Sequence, residues 1–151
     1  MEITKKDLTW QEFEAEAVEL GKKIKAQHPN KFKHILALTR GGLIPAYFLA
    51  RELGIKSIKT MCLVSYGDTR DQDEIKHLKI DGFSEEITNT DEWLVVDDIC
   101  DTGKTLDFVE TVYPNIESAC LYIKEHRSCT YYNQQVPNEL WLNFPWERYE
   151  K

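Results

Sequence analysis

Apolar positions along the first third of the chain follow a helical period, then a strand-like one, then a helical one again. Thr9 and Glu12 have the spacing of a capping box, and apolar residues then recur every three or four positions as far as His28. The apolar run 34–38 (HILAL) has the length of a buried strand, and residues 43–53 return to helical spacing before a glycine that ends the helix. This order predicts a helix, a strand and a second helix.

The rest of the chain repeats the alternation of strands and helices. Strands are predicted at 57–66, 92–98, 117–123 and 138–142, and a helix at 103–112. Strands that alternate with helices predict an α/β fold, with a parallel sheet flanked by helices on both faces. The polar stretch 67–89 has no clear period, and connections of that length are usually lids or disordered segments. Because the chain has no repeat, low-complexity tract or linker, we expect a single domain over residues 1–151.

Composition and charge narrow the class of protein. A chain of 151 residues can bury a core that needs no disulfide or metal. Its net charge of -7 argues against binding to nucleic acid or to an anionic membrane, since both require a basic surface. The sequence has no apolar run of about 20 residues, no secretion signal and no C-x-x-C pair. We therefore expect a reduced, cytoplasmic protein without a transmembrane segment.

Three polar clusters directly follow predicted strands: 39–42 (TRGG), 65–67 (SYG) and 97–105 (DDICDTGKT). In an open parallel sheet the ligand site lies beyond the carboxyl ends of the strands, so these clusters should meet there. The carboxylates of the third cluster can accept hydrogen bonds from sugar hydroxyls or bind a hard cation. Its turn leads into a helix, whose first N–H groups can bind a phosphate. The cluster therefore has the groups to hold a phosphorylated sugar.

The tripeptide Gly-Lys-Thr at 103–105 also ends the phosphate-binding loop of many nucleoside triphosphatases. That loop requires a glycine five residues before its Gly-Lys, and this chain has Asp98 at that position. We therefore reject a nucleoside triphosphatase.

The stretch LVVDDICDTGKT (94–105) resembles the motif with which type I phosphoribosyltransferases bind phosphoribosyl pyrophosphate (PRPP). Residues 35–66 resemble a segment of the bacterial xanthine-guanine phosphoribosyltransferases, and ELWLNFPWE (139–147) resembles their base-binding region. The likeness implies the type I phosphoribosyltransferase fold, with a flexible lid loop and a small C-terminal hood over the base. It also implies a purine salvage enzyme that transfers xanthine, guanine or hypoxanthine onto PRPP, giving a nucleoside 5′-monophosphate and pyrophosphate.

The resemblance implies a role for each residue of the two loops. The implied PRPP-binding residues are Thr39, Arg40, Gly41 and Gly42 for pyrophosphate, Asp97 and Asp98 for the ribose, and Asp101, Thr102, Gly103, Lys104 and Thr105 for the 5-phosphate. Asp98 is also the implied ligand of the Mg²⁺ cofactor, and Asp101 the catalytic group that exchanges a proton with purine N7. The simpler alternatives are an ordinary turn at 39–42 and a helix-capping role for the aspartates, although capping requires only one carboxylate. The implied assembly is a homodimer or homotetramer.

The implied purine-binding residues are Lys124, Trp141 and Leu142. An ammonium group donates hydrogen bonds but cannot accept them, so Lys124 suits the 6-oxo group of a purine and not the amino group of adenine. Trp141 would lie flat on the purine, and the backbone around Leu142 would read the 2-position. The alternative is that LWL is only a buried edge strand and Lys124 a solvated residue at the end of a strand.

The predicted lid, from Gly67 to about Gly82, is where the chain departs from the family that it resembles. That family has an arginine in the lid that reaches PRPP, and alignment on KHLK places Asp73 at this position. Arg70 and Lys76 are the neighbouring residues that could replace it. The relatives also continue beyond the position of Lys151, which leaves the outer wall of the base pocket undefined. A second class of function therefore stays open, namely a protein of the same fold that binds PRPP or a nucleotide for regulation without turnover.

Overall fold

A six-stranded sheet forms the centre of the computed structural model, which describes residues 4–65, 78–81 and 87–149. The elements are β1 (Thr4–Asp7), α1 (Trp10–Gln27), β2 (His34–Leu38), α2 (Leu43–Leu53), β3 (Ser57–Ser65), β4 (Leu78–Asp81), β5 (Trp93–Cys100), α3 (Lys104–Val112), β6 (Glu117–Lys124), β7 (Gln134–Val136) and β8 (Leu140–Asn143). Single 3₁₀ turns cover Thr90–Glu92 and Pro145–Tyr149. The order in the sheet is β4-β3-β2-β5-β6-β7, and every pair is parallel except β3 with β4. The predicted parallel sheet flanked by helices is confirmed.

The first helix begins where the capping box predicted. Glu12 N–H donates to Thr9 Oγ1 over 3.0 Å, and Thr9 N–H donates to Glu12 Oε1 over 3.1 Å. These two bonds satisfy donors that the first turn of a helix would otherwise leave without partners. The apolar face of α1, which includes Phe13 and Leu20, is fully buried.

The strands at the centre of the sheet bury both faces. Ile35 and Ala37 of β2 join a core under α1 and α2, whereas Leu36 joins a second core that contains Leu106 and Val109 of α3. Successive strand residues point to opposite faces, so a strand covered on both sides must be apolar throughout. This requirement explains why HILAL is apolar without alternation.

The carboxyl-terminal strand lies outside the main sheet. The predicted strand 138–142 corresponds to β8, which pairs in parallel with β1 in a separate two-stranded sheet. We call this two-stranded sheet the hood, and that it covers a base stays a prediction. Stacked aromatic rings of Phe144 and Trp146, with Phe13 of α1 edge-on to Trp146, attach the hood to the body of the protein. The position next to β6 is occupied by β7, which the sequence pattern did not reveal.

The polar segment 67–89 is only partly described. Leu78–Asp81 forms an antiparallel edge strand on β3, where the sequence pattern indicated a loop. Most of the predicted lid, including Arg70, Asp73 and Lys76, lies outside the described residues. Among the helices of the described ranges, none combines the length and apolarity needed to cross a membrane.

Candidate active site

The connection between β2 and α2 forms a tight loop, Thr39–Gly42, at the carboxyl edge of the sheet. The backbone N–H of Thr39 donates to the carbonyl oxygen of Met61 over 3.0 Å, which ties the loop to β3. The N–H of Gly42 donates to the carbonyl oxygen of Leu38 over 2.7 Å, and α2 begins at the next residue. These two hydrogen bonds fix both ends of the loop to strands of the sheet. The peptide bond between Thr39 and Arg40 is cis.

Two glycines allow this loop to lie directly against the end of β5. A Cβ atom at Gly41 would come within 2.6 Å of Asp98 Oδ2, and a Cβ atom at Gly42 within 2.2 Å of the carbonyl oxygen of Val96. Both distances are shorter than a carbon–oxygen contact can be. At Gly42 the obstacle is backbone, so only glycine fits there, whereas a Cβ atom at Gly41 would displace the carboxylate of Asp98. The first and third polar clusters of the sequence thus meet, as predicted, while the second, at 65–67, lies mostly outside the described residues.

The paired aspartates lie within β5, which continues two residues beyond its predicted end at Asp98. Both are half-buried. Asp97 Oδ1 accepts a hydrogen bond from the N–H of Asp98 over 2.9 Å, and Asp98 Oδ1 accepts one from the N–H of Ile99 over 2.7 Å. Burial, followed by the negative charge of Asp98, raises the pKa of Asp97 well above its usual range. The pair therefore concentrates negative charge that a cation or hydroxyl donors can stabilise.

The turn 101–105 leads from β5 into α3. Gly103 adopts a left-handed conformation, with φ of 83°, and Thr102 Oγ1 accepts a hydrogen bond from the N–H of Lys104 over 3.3 Å. Asp101 is exposed at the start of this turn. The first backbone N–H groups of α3 and its positive dipole end lie here, which gives the turn the chemistry of an anion-binding site.

Arg127, which the sequence analysis did not single out, also reaches this turn. Its Nε–H donates to the carbonyl oxygen of Asp101 over 3.1 Å. The residue lies in the connection from β6 to β7, just after Lys124 at the carboxyl end of β6. The rule that ligand sites follow strand ends could have drawn attention to this connection, although it could not have identified the contact.

The three predicted purine-binding residues lie at the end of β6 and in the hood. Lys124 is only 5% exposed, and its Nζ donates to the carbonyl oxygen of Asn138, over 3.0 Å, and to that of Leu140. Trp141 is 51% exposed, whereas Leu142 is buried. Lys124 and Trp141 thus flank the same short segment of backbone, and the assignment of all three residues to a purine stays a prediction.

A short chain of hydrogen bonds fixes the indole ring of Trp141. Trp141 Nε1–H donates to Asn143 Oδ1 over 3.0 Å, and Asn143 Nδ2–H donates to Asp7 Oδ1 over 2.8 Å. The carboxylate can only accept, so it sets the orientation of the Asn143 amide, whose oxygen then faces the indole. An exposed aromatic ring is thereby held in place by β1, a strand that the sequence did not predict.

The residues at the edge of the sheet fit a magnesium ion that is bound partly by a substrate. Within the described ranges, no three His, Cys, Asp or Glu side chains gather into a complete metal cage. Mg²⁺ commonly takes one or two carboxylates and completes its coordination with water and substrate phosphates. Asp98 can supply such a carboxylate, and the adjacent Asp97 adds negative charge that a cation would offset.

This fold and site define a class of α/β protein in which a glycine-containing loop, paired carboxylates and a turn into a helix lie at one edge of the sheet. Residues 7–141 match the family model of the phosphoribosyl transferase domain. The chain therefore belongs to the phosphoribosyltransferase family and has the type I fold of that family.

Three solved structures illustrate the similarity. The chain is 29% identical to a purine phosphoribosyltransferase from Pyrococcus horikoshii, with 94% of this chain and 93% of that chain covered and a TM-score of 0.78. It is 22% identical to a xanthine-guanine-hypoxanthine phosphoribosyltransferase from Helicobacter pylori, with coverage of 95% and 93% and a TM-score of 0.75. A protein from Neisseria gonorrhoeae, whose structure contains bound ppGpp, is 21% identical, with coverage of 97% and 91% and a TM-score of 0.79.

Alanine at the two glycines of the loop should have different effects. Gly42→Ala places Cβ against the backbone of β5, which cannot move aside, so the free energy of unfolding should fall by about 2 kcal/mol or more. Gly41→Ala meets only the side chain of Asp98, so it should cost less stability but weaken binding of Mg²⁺ and PRPP. Urea unfolding and calorimetric titration measure the two effects. Equal losses of stability would show that the Asp98 side chain is as firmly fixed as the strand backbone.

The raised pKa of Asp97 predicts that its carboxylate destabilises the unliganded protein. In the folded state the Asp97 carboxyl stays protonated at pH values above 3.8, the usual pKa of aspartate. The free energy of unfolding therefore falls as the pH rises from 3.8 through the pKa of the folded state. Asp97→Asn keeps an oxygen that can accept from Asp98 N–H but removes the charge. It should therefore raise the free energy of unfolding at pH 8 by about 1 kcal/mol or more, and the gain should vanish towards pH 4.

The control for this prediction is Asp91→Asn, which neutralises an exposed aspartate. Denaturant unfolding at several pH values measures both variants. A gain for Asp97→Asn that is absent at pH 8, or that is the same at every pH, would contradict the argument.

Proposed function

We propose that the protein is a magnesium-dependent purine phosphoribosyltransferase of the salvage type. It transfers a 6-oxopurine, namely xanthine, guanine or hypoxanthine, onto C1 of PRPP, and it releases pyrophosphate and the nucleoside 5′-monophosphate. The observation that carries the proposal is the contact between the Thr39–Gly42 loop and the carboxylate of Asp98. The similarity to the purine enzyme of Pyrococcus horikoshii over nearly the whole chain supports it.

In this proposal the edge of the sheet binds PRPP through three sets of groups. The Thr39–Gly42 loop binds the pyrophosphate with backbone N–H groups and with the forked guanidinium of Arg40. Asp97 and Asp98 accept hydrogen bonds from the ribose hydroxyls, and Asp98 also binds the metal. The turn 101–105 holds the 5-phosphate at the start of α3. These local groups suit an anionic substrate even though the chain carries a net charge of -7.

The proposed reaction forms a bond from a purine ring nitrogen to C1 as the bond from C1 to pyrophosphate breaks. Positive charge develops on the ribose ring, and in this proposal the carboxylates of β5 stabilise it. When bound, Mg²⁺ neutralises charge on the pyrophosphate. Asp101 exchanges a proton with N7 of the purine, which requires a carboxylate within hydrogen-bond reach of that atom.

The proposed base site depends on Lys124. Two of its three N–H groups are taken by the carbonyl oxygens of Asn138 and Leu140, so the direction of the third is restricted. That remaining donor suits the 6-oxo group of a purine and rejects adenine, whose 6-amino group also donates. Trp141 supplies the stacking surface, and the backbone around Leu142 reads the 2-position.

The predicted homodimer or homotetramer is also part of the proposal. Leu43 and Tyr47 of α2 are large apolar side chains that are about half exposed in the single chain. Such neighbouring residues on one helix are compatible with a surface that a second copy covers.

Pyrophosphate release tests the proposed function. The protein should release pyrophosphate from PRPP and Mg²⁺ in the presence of guanine, xanthine or hypoxanthine, with adenine and orotate much poorer substrates. The nucleoside 5′-monophosphate should appear in equal amount. Preferred use of adenine or orotate would exclude the proposed base site. Binding of PRPP or a nucleotide without any turnover would favour the regulatory alternative.

Asp101→Asn tests the proposed acid–base group. The amide keeps the shape of the side chain but cannot exchange the N7 proton, so kcat should fall by about 10²-fold or more while PRPP still binds. Glu110→Gln, which neutralises an exposed carboxylate on α3, is the matched control. Steady-state turnover measures kcat, and calorimetric titration with PRPP measures substrate binding separately. Normal turnover in Asp101→Asn would exclude this role.

A further inference from the structure

Arg127 makes a side-chain contact across the edge of the sheet. Its Nε–H donates to the carbonyl oxygen of Asp101, and one Nη1–H donates to the carbonyl oxygen of His126 over 3.4 Å. The bond to Asp101 joins the connection after β6 to the turn after β5. These two segments are far apart along the chain, so this side chain links two separate parts of the candidate active site.

The stem of Arg127 packs against the same turn. A Cβ atom at Gly103 would lie 3.3 Å from Arg127 Cδ and 3.9 Å from Nε. Gly103 thus has two reasons to be glycine, namely its positive φ and the side chain of Arg127 above it. The turn is therefore held by a hydrogen bond at Asp101 and by packing at Gly103.

At its other end Arg127 is tied to the residue proposed to read the base. The backbone N–H of Arg127 donates to the carbonyl oxygen of Lys124 over 3.2 Å. Lys124 in turn donates to the carbonyl oxygens of Asn138 and Leu140, next to the hood. A continuous series of contacts therefore runs from the hood, through Lys124 and Arg127, to the turn that contains Asp101.

We propose that Arg127 is a positioning residue, which sets the turn 101–105 relative to Lys124 through its Nε–H donor. The proposal rests on the function proposed above, because it assigns the 5-phosphate and the N7 proton to that turn and the 6-oxo group to Lys124. Two substrates react only when their atoms are held close and aligned, and a displacement of about 1 Å can cost 10²-fold in rate. The pairing of β5 with β6, which reaches Cys100 and Ile123, already holds the two strand ends together. Arg127 adds a contact to the turn that lies beyond that pairing.

A different role would be simple attraction of the 5-phosphate by the positive charge of Arg127. Three substitutions distinguish the two roles, because they separate the donor from the charge. Glutamine places an N–H donor the same number of bonds from Cα as Nε but has no charge. Lysine keeps the charge but has a methylene at the position of Nε, and methionine has neither the donor nor the charge.

The positioning role predicts that R127Q retains most of the wild-type kcat, whereas R127K and R127M lose about 10- to 100-fold. The KM for PRPP should change much less than kcat in all three variants. Arg51→Met, which alters an exposed arginine on α2 that stacks near Tyr47, is the control for loss of a surface arginine and should behave as wild type. High turnover in R127K with low turnover in R127Q and R127M would overturn the proposal in favour of charge. Wild-type turnover in all three variants would also overturn it.

Amide hydrogen exchange in the unliganded protein gives a readout that needs no turnover. The N–H groups of the turn 101–105 should exchange faster in R127K and R127M than in the wild type, and at the wild-type rate in R127Q. If the wild type released no pyrophosphate, the proposed function would fail, yet this pattern would still show that Nε holds the turn. Equal exchange in all variants would overturn the positioning role whatever the turnover.

Discussion

The close approach of the Thr39–Gly42 loop to β5 is the constraint on which the candidate site depends. Gly42 lies against the carbonyl oxygen of Val96, and Gly41 lies against the carboxylate of Asp98. These contacts fix the distance between the Thr39–Gly42 loop and the acidic end of β5. A substrate that carries both a pyrophosphate and ribose hydroxyls can contact both at once. The steric requirement for glycine and the chemistry of the site therefore have the same origin.

The electrostatics of this edge follow from the same arrangement. Asp97 is half-buried beside Asp98, and its raised pKa indicates that the folded protein holds charge there at a cost. Sites that bind a cation or a polar substrate commonly carry such a cost, because the groups that suit the ligand are poorly matched when it is absent. The two carboxylates accept hydrogen bonds from N–H groups within β5, and α3 begins after Gly103 without a side-chain cap. The aspartates therefore do not cap α3, which was the simpler alternative to a ligand-binding role.

Local signals explain which parts of the structure the sequence could predict. The bounds of β2 and α2 agree with the prediction because a fully apolar run, a helical period and a glycine with positive φ mark them without ambiguity. The hood could not be predicted in the same way, since β1 pairs with β8 from the opposite end of the chain and both strands are short. The strand β7 has only three residues, two of them exposed, and therefore leaves no periodic pattern. The sequence also revealed the polar clusters at the strand ends. In a parallel sheet the ligand site lies beyond the carboxyl ends of the strands, and this rule depends only on topology.

The residues that the sequence could not reveal are those that orient others. Asp7 acts on Trp141 only through Asn143, and Arg127 acts on Asp101 only through a backbone carbonyl, so neither belongs to a motif. Both contacts join segments that are distant in sequence, and both place a donor or acceptor next to a residue of the candidate site. The residues of a motif bind substrate only in the geometry that such contacts set. The chain itself does not fix the distance between the end of β5 and the hood, so non-covalent contacts must do so. The specificity of this chain is therefore expected to depend on the contacts around the motif as much as on the motif that the family shares.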